Sequence, residues 1–141
     1  MRISAKADDA VRALVELAAA GPGATRSTRE LAEDQGIPLH FLENILGDLR
    51  RAGLVEIHRG AGGGSSLARP AAAITVGQIV RAMDGPLAAV RDLAPDELVY
   101  GGAARNLPAV WREMHACINE LLDGVSVADL VPDRVDGLNM T

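Results

Sequence analysis

Residues 60–64 read Gly-Ala-Gly-Gly-Gly. No helix or regular strand runs through such a stretch, because glycine loses the most conformational entropy on ordering and gives no side chain to pack. The run must be a turn or a loop tip, and its flanks decide which. Leu54-Val55-Glu56-Ile57-His58 alternates apolar and polar ahead of it, and Ser65 to Arg69 follow. The segment therefore reads as a two-stranded hairpin with a flexible tip.

What precedes the hairpin is helical. Ala10, Val11, Leu14, Val15, Leu17 and Ala18 recur at helical spacing up to Gly21-Pro22-Gly23, which places a first helix near 6–20. Ser27 or Thr28 caps a second short helix running through Asp34, with Glu30 as the acidic first-turn residue its dipole favours. Gly36 stops it. Ile37 and Pro38 start a third helix, with Leu39, Leu42, Ile45, Leu46 and Leu49 on one face and Ala52-Gly53 at its end. Two helices joined by a tight glycine turn are a helix-turn-helix candidate, and with a glycine-tipped hairpin behind them they make a winged helix-turn-helix. The expected fold class is mainly α with a small β-hairpin wing. Composition agrees: 48% hydrophobic residues with 2% aromatics leave a core of Ala, Leu, Val and Ile, which favours helices over sheets.

At 141 residues the chain suits one compact unit and is too short for a catalytic domain plus a regulatory one. Its single cysteine, Cys117, excludes an intramolecular disulfide and a thiolate-rich metal site within one chain. Asp8, Asp9, Arg12 and Glu16 interrupt the only stretch resembling a signal peptide, and no apolar run reaches the roughly 18 residues of a membrane span. A soluble, cytoplasmic protein with no membrane partner is expected. The net charge of −5 argues mildly against nucleic acid, but its distribution matters more. Residues 1–69 carry nine Lys and Arg against nine Asp and Glu, whereas 70–141 carry five against ten. A balanced first half can still present basic groups to phosphates, while the acidic second half is held away from DNA.

On the third helix His40, Glu43, Asn44 and Gly47 lie opposite the leucines, and the first three sit in the first two turns, which usually contact bases. Glu43 can accept from a cytosine amino group and Asn44 can pair with adenine, while Arg50 and Arg51 at the far end suit the backbone. The same residues also describe an ordinary solvated helix face. In the hairpin, the backbone amides of Gly60, Gly62, Gly63 and Gly64, flanked by His58, Arg59 and Arg69, can reach phosphates or the minor groove. A nucleotide-enzyme reading of the glycines fails on context. A dinucleotide fingerprint needs a helix directly after them and a Walker loop needs Gly-Lys-Ser/Thr, whereas Ser65-Ser66-Leu67-Ala68-Arg69-Pro70 runs toward a proline. His40, His58 and His115 fall on separate elements without a partnered nucleophile, so no enzyme activity is expected.

Met1-Arg2-Ile3-Ser4-Ala5-Lys6 leading to Ala10-Val11-Arg12-Ala13-Leu14, Ile37-Pro38-Leu39 with Phe41-Leu42-Glu43, and Leu49 through Val55 together resemble the Rrf-two (Rrf2) family of bacterial winged-helix transcription regulators. Arg59-Gly60, Gly62-Gly63-Gly64, Leu67-Ala68 and Ile74-Thr75 through Ile79-Val80 extend the resemblance across residues 1–86. It implies DNA contacts from Arg2, Ser4 and Lys6, from Thr28, Pro38 and Phe41, and from the wing through Ser65. Leu107 to Leu122, followed by Val127-Ala128-Asp129-Leu130, is similar to the family's long dimer-forming helix and short terminal helix. Periodicity points the same way. Leu107, Val110, Trp111, Met114, Cys117, Ile118 and Leu121 form a broad apolar stripe that a monomer this small struggles to bury and an identical helix can cover.

The sequence departs from the family in three places. Cluster-binding members carry three cysteines in the loop before the dimer helix, and residues 87–106 here contain none. No iron-sulphur cluster and no other cofactor is expected. Asp8 lies where a relative donates a carboxylate to its cluster, but an acidic residue early in a helix is equally explained by the dipole. Asp9 and Ser65 stand where relatives usually carry tyrosines. Cys117, on the apolar stripe, reads as a small buried hydrophobe rather than a redox switch.

The expected organisation is a winged helix-turn-helix DNA-binding domain over 1–85, an irregular linker and candidate sensor loop over 86–106, a dimerisation helix and short terminal helix over 107–131, and a flexible tail over 132–141. The expected function is a sequence-specific regulator, a repressor by resemblance, that binds a palindromic double-stranded operator as a homodimer; residues 86–106 either form a pocket for an unidentified small-molecule effector or simply cover the core. The alternative is a protein-interaction module on the same fold, docking on a metabolic enzyme with weak or no DNA binding.

Overall fold

The structure is a computed structural model and describes residues 1–132; most of the expected tail, 133–141, lies outside the described residues. Ser4 caps α1 (Ala5–Ala19), its hydroxyl accepting from the Ala7 amide at 3.0 Å, which satisfies one of the helix's orphan donors. The same residue donates its hydroxyl and its amide to Asp84, 80 positions further on.

At α2 (Thr28–Gln35) the cap is Ser27, and Thr28 is the first helical residue. The Ser27 hydroxyl accepts from the Glu30 amide at 3.1 Å, and the Glu30 carboxylate takes the Ser27 amide at 3.0 Å, a reciprocal capping box. Gly36, at φ 64°, ends the helix in the left-handed conformation that glycine adopts freely. The chain then turns into α3 (Leu39–Arg51), whose Leu42, Ile45, Leu46 and Leu49 close on Ala10, Ala13, Leu14 and Leu17 of α1 and on Leu31 of α2. Alanines on α1 let α3 approach closely, and each leucine removed from water contributes roughly 1.5–3 kcal/mol. Arg12 braces the two helices by reaching Asp9 at 2.9 Å on α1 and both the side chain and the carbonyl of Gln35 on α2. Asp9 is thus part of an internal brace.

β1 (Val55–His58) and β2 (Gly64–Leu67) pair antiparallel, with Val55 opposite Leu67 and His58 opposite Gly64. The second strand stops at Leu67 rather than Arg69, where the chain bends toward Pro70, a residue with no N–H for a ladder. The expected alternation also fails toward the tip. Val55 at the foot is 2% exposed but Ile57 is 44% exposed, because the ribbon projects beyond the core. On its other edge β2 is anchored by Arg26, which exchanges backbone hydrogen bonds with Ser65 at 3.0 and 2.8 Å. Gly64, at φ 151°, permits that approach, since a Cβ there would overlap the Arg26 carbonyl.

A 3-10 turn at Ala71–Ala73 leads to α4 (Val76–Asp84), capped by Thr75 with Gln78 in a second capping box. Two more 3-10 turns, Pro95–Glu97 and Gly102–Ala104, punctuate the irregular stretch before α5 (Leu107–Asp123). Ile118 and Leu122 of α5 dock against the cluster of Ala7, Val80 and Leu87. α6 (Val127–Leu130) returns to the main body, with Val127 fully buried and its amide donating to the Ile74 carbonyl at 2.8 Å. The last part of the 107–131 segment therefore rests on the 1–85 segment. Among the described residues no helix is long and apolar enough to cross a membrane.

Candidate nucleic-acid interface

α3 presents two unlike edges. The leucine edge is consumed by the core, while His40, Phe41, Glu43 and Asn44 are exposed in its first two turns and Arg50 and Arg51 in its last. Pro38, also exposed, is the residue from which the helix starts. Phe41 is 43% exposed, an unusual placement for the chain's single phenylalanine.

The basic groups around this edge are partly matched from within. Asp48, one turn before the end of α3, contacts both Lys6 of α1 and Arg51. Lys6 first, and Arg51 after it, hold the Asp48 carboxyl below the usual range for aspartate. Arg51 folds back over Gly47 to make this contact. At α2, the Ser27 cap holds the Glu30 carboxyl low, and Arg26 pairs with Asp34 at 2.5 Å. Arg2, Arg50 and Arg59 are exposed and meet no carboxylate among the described residues.

Of the wing residues, Arg59, Gly60 and Gly62 are exposed at the tip, with Gly63 and Gly64 half-buried behind them. His58 is exposed, but its Nε2 is hydrogen-bonded to the Ser66 hydroxyl at 2.8 Å. Four expected contacts are placed differently. Ser65 is 2% exposed and faces the body, so its side chain is not presented to a ligand. Arg69 lies past the end of β2, separated from the tip by four strand residues, roughly 13 Å of chain. Ser4 spends its hydroxyl on capping α1 and on Asp84. Thr28 is half-buried in the first turn of α2.

α5 carries two stripes rather than one. Trp111, Ile118 and Leu122 are half-buried against their own chain, and the ring nitrogens Nε1 of Trp111 and Nδ1 of His115 are buried without a partner. Leu107, Val110, Met114, Cys117 and Leu121 follow a strict three-four spacing on the other side, with Leu107 40%, Val110 55% and Leu121 67% exposed. Met114, on the second stripe, is half-buried as Trp111 and Ile118 are. Cys117 is exposed, not buried by its own chain.

A helix-turn-helix whose second helix keeps a polar edge free beside a hairpin is the architecture of winged-helix transcription regulators. The chain belongs to the Rrf2 family, described as an iron-dependent transcriptional regulator, whose profile matches residues 3–133. It is 46% identical over 130 residues to a Mycobacterium tuberculosis chain described as an HTH-type transcriptional regulator, covering 92% of this chain and 81% of that one. It is 34% identical over 134 residues to the HTH-type transcriptional regulator IscR of Yersinia pestis, covering 95% and 81%. Among solved structures, CymR, the global cysteine regulator of B. subtilis, matches with a TM-score of 0.79 at 30% identity, covering 92% of this chain and 95% of that one. IscR of T. potens matches at 0.74 and 32%, covering 92% and 85%.

Iron is named for the family, and an iron centre requires a converging set of donor side chains. Iron-sulphur clusters are held by several thiolates; this chain has one cysteine, and residues 86–106 contain neither cysteine nor histidine. Among the described residues no three His, Cys, Asp or Glu side chains converge as ligands. The side chains of one chain do not fit a cluster, and no step is routed through one.

Proposed function

We propose that the chain is a homodimeric, sequence-specific repressor of transcription that reads a palindromic operator with α3 and steadies itself with the wing. The observation that carries this is the division of α3: four apolar residues fixed in the core hold His40, Phe41, Glu43 and Asn44 outward in its first two turns. Glu43 accepts from a cytosine amino group, Asn44 makes paired contacts to adenine, and Phe41 meets a thymine methyl. Arg2, Arg50 and Arg59 supply phosphate contacts, with Lys6 and Arg51 beside them. The backbone amides of Gly60 and Gly62 are the wing's contribution.

The exposed stripe of α5 is the self-association surface. Apolar residues at three-four spacing form a seam that a second copy of the same helix fills about a two-fold axis. Two copies of α3 then enter successive major-groove half-sites about 34 Å apart. On this reading the protein works where the chromosome is, in the cytoplasm, and has no catalytic task.

Gel-shift titrations against the upstream region of its own gene, across a salt series, test the proposal. Binding should be sequence-specific and fall steeply with salt, and Glu43→Ala and Asn44→Ala should each cost about 1–3 kcal/mol at one base position. Absence of specific binding at low salt, or equal affinity for unrelated duplexes, would refute it in favour of a protein-docking module.

A further inference from the structure

Between the end of α1 and the foot of the wing lies a cavity of about 360 Å³. That is the size of a small-molecule site. Ala18 and Pro22 form one side, and Leu67, Ala68 and Ala71 the other, so the walls are largely apolar. Arg69 also lines it, is exposed, and makes no side-chain hydrogen bond or ion pair among the described residues. One guanidinium on an apolar wall selects for a ligand with the same division. Its planar fork matches the two oxygens of a carboxylate, while the alanine, leucine and proline surfaces suit a hydrocarbon body and give little to a compact, fully hydrated anion.

We propose that this cavity binds a small monocarboxylate with an apolar body, its carboxylate on Arg69, and that it is the effector site of the protein. The cavity is shared by the last turn of α1, which packs in the main core, and by residues 67–71, which leave the wing directly after β2. An occupant touching both sides distinguishes between wing orientations by its contacts, which is what a ligand needs in order to shift a conformational equilibrium. This coupling rests on the DNA-binding reading above; the binding site itself does not.

Calorimetric titration of the full chain with octanoate, with inorganic phosphate as the anion control, tests the site. Octanoate should bind saturably at one per chain and phosphate should not bind. Arg69→Gln, at an exposed position, should weaken octanoate at least tenfold with the thermal midpoint unchanged. Ala71→Leu, which narrows the cavity and leaves the guanidinium in place, should do the same. No octanoate binding at millimolar concentration, binding unchanged in both variants, or phosphate competing on equal terms would each overturn the proposal. For the effector role, octanoate should shift operator affinity at least threefold in the native protein and not in Arg69→Gln; saturable binding without any shift overturns that role. Failure of the unliganded chain to bind any operator would instead count against the DNA reading, with the titration still deciding the site.

Discussion

α3 and α5 are both amphipathic, and their own chain treats them differently. α3 has 13 residues and buries Leu42, Ile45, Leu46 and Leu49, whereas α5 has 17 and buries only Pro108. The leucine face of α3 is finished by intramolecular packing, and what remains outside is polar apart from Phe41: a surface suited to a hydrated, charged partner. On α5 what remains outside includes Leu107, Val110 and Leu121, an apolar seam bordered by charged residues such as Arg112, Glu113 and Glu120. On the proposed reading, α3 is the helix that meets DNA and α5 the helix that meets a second copy.

The contrast breaks most readily in the core. Leu42→Ala, at a position with 0% exposure, should lower unfolding free energy by about 3 kcal/mol in denaturant titrations. Leu121→Ala in the isolated subunit should change it by less than about 0.5 kcal/mol. Equal losses at the two positions would mean that α5 is finished by its own chain after all.

Next in size is the effect of charging the seam. Val110→Glu combined with Leu121→Glu should leave a folded subunit by circular dichroism and convert a dimer to a monomer in sedimentation. Operator affinity should then fall at least tenfold, because the second half-site loses its effective concentration. A variant that stays dimeric would move the interface away from α5.

Smaller effects should come from the wing. Gly64→Ala forces a side chain against the Arg26 carbonyl and should cost about 1–3 kcal/mol of stability. The same change at Gly60, where a Cβ would meet open space, carries only the positive-φ penalty. Arg59→Ala should leave stability alone and lower the slope of log affinity against log salt by about one. An unchanged slope would take the tip off the phosphates.

How much of this was legible in the sequence follows from how local each feature is. The period of Leu42, Ile45, Leu46 and Leu49 and the glycine stop at Gly36 are local, and the helix-turn-helix follows from them. The Ser27–Glu30 capping box is local too, although only the structure separates Ser27 from Thr28 as the cap. The split of α5 into two stripes is not local. Leu107 through Leu121 reads as one broad apolar face until Ala7, Val80 and Leu87 claim Ile118. Ser65 looked like part of an exposed tip because nothing in its neighbours announces that Arg26 pairs with its backbone. The cavity beside Arg69 joins residues about fifty apart in sequence, and no pattern of spacing marks it.

Asp48 gives the smallest of these effects and the sharpest test of how the polar edge of α3 is tuned. Its carboxylate sits between Lys6 and Arg51, so two cations at the edge of α3 are already partly matched within the chain. Those contacts lower its pKa in the folded chain relative to an unfolded value near 3.9. The stabilisation is therefore present above about pH 3.9 and is lost as pH falls through the lower folded value. The thermal midpoints of the native protein and of Asp48→Asn should differ slightly near neutrality and converge in acid. On DNA the sign reverses. Removing a carboxylate that competes with phosphate should raise affinity for a non-operator duplex severalfold and steepen its salt dependence. A fall in that affinity would show instead that Asp48 holds Lys6 and Arg51 in the positions from which they reach the backbone, and that the edge of α3, unlike the seam of α5, is set by its own chain before its partner is met.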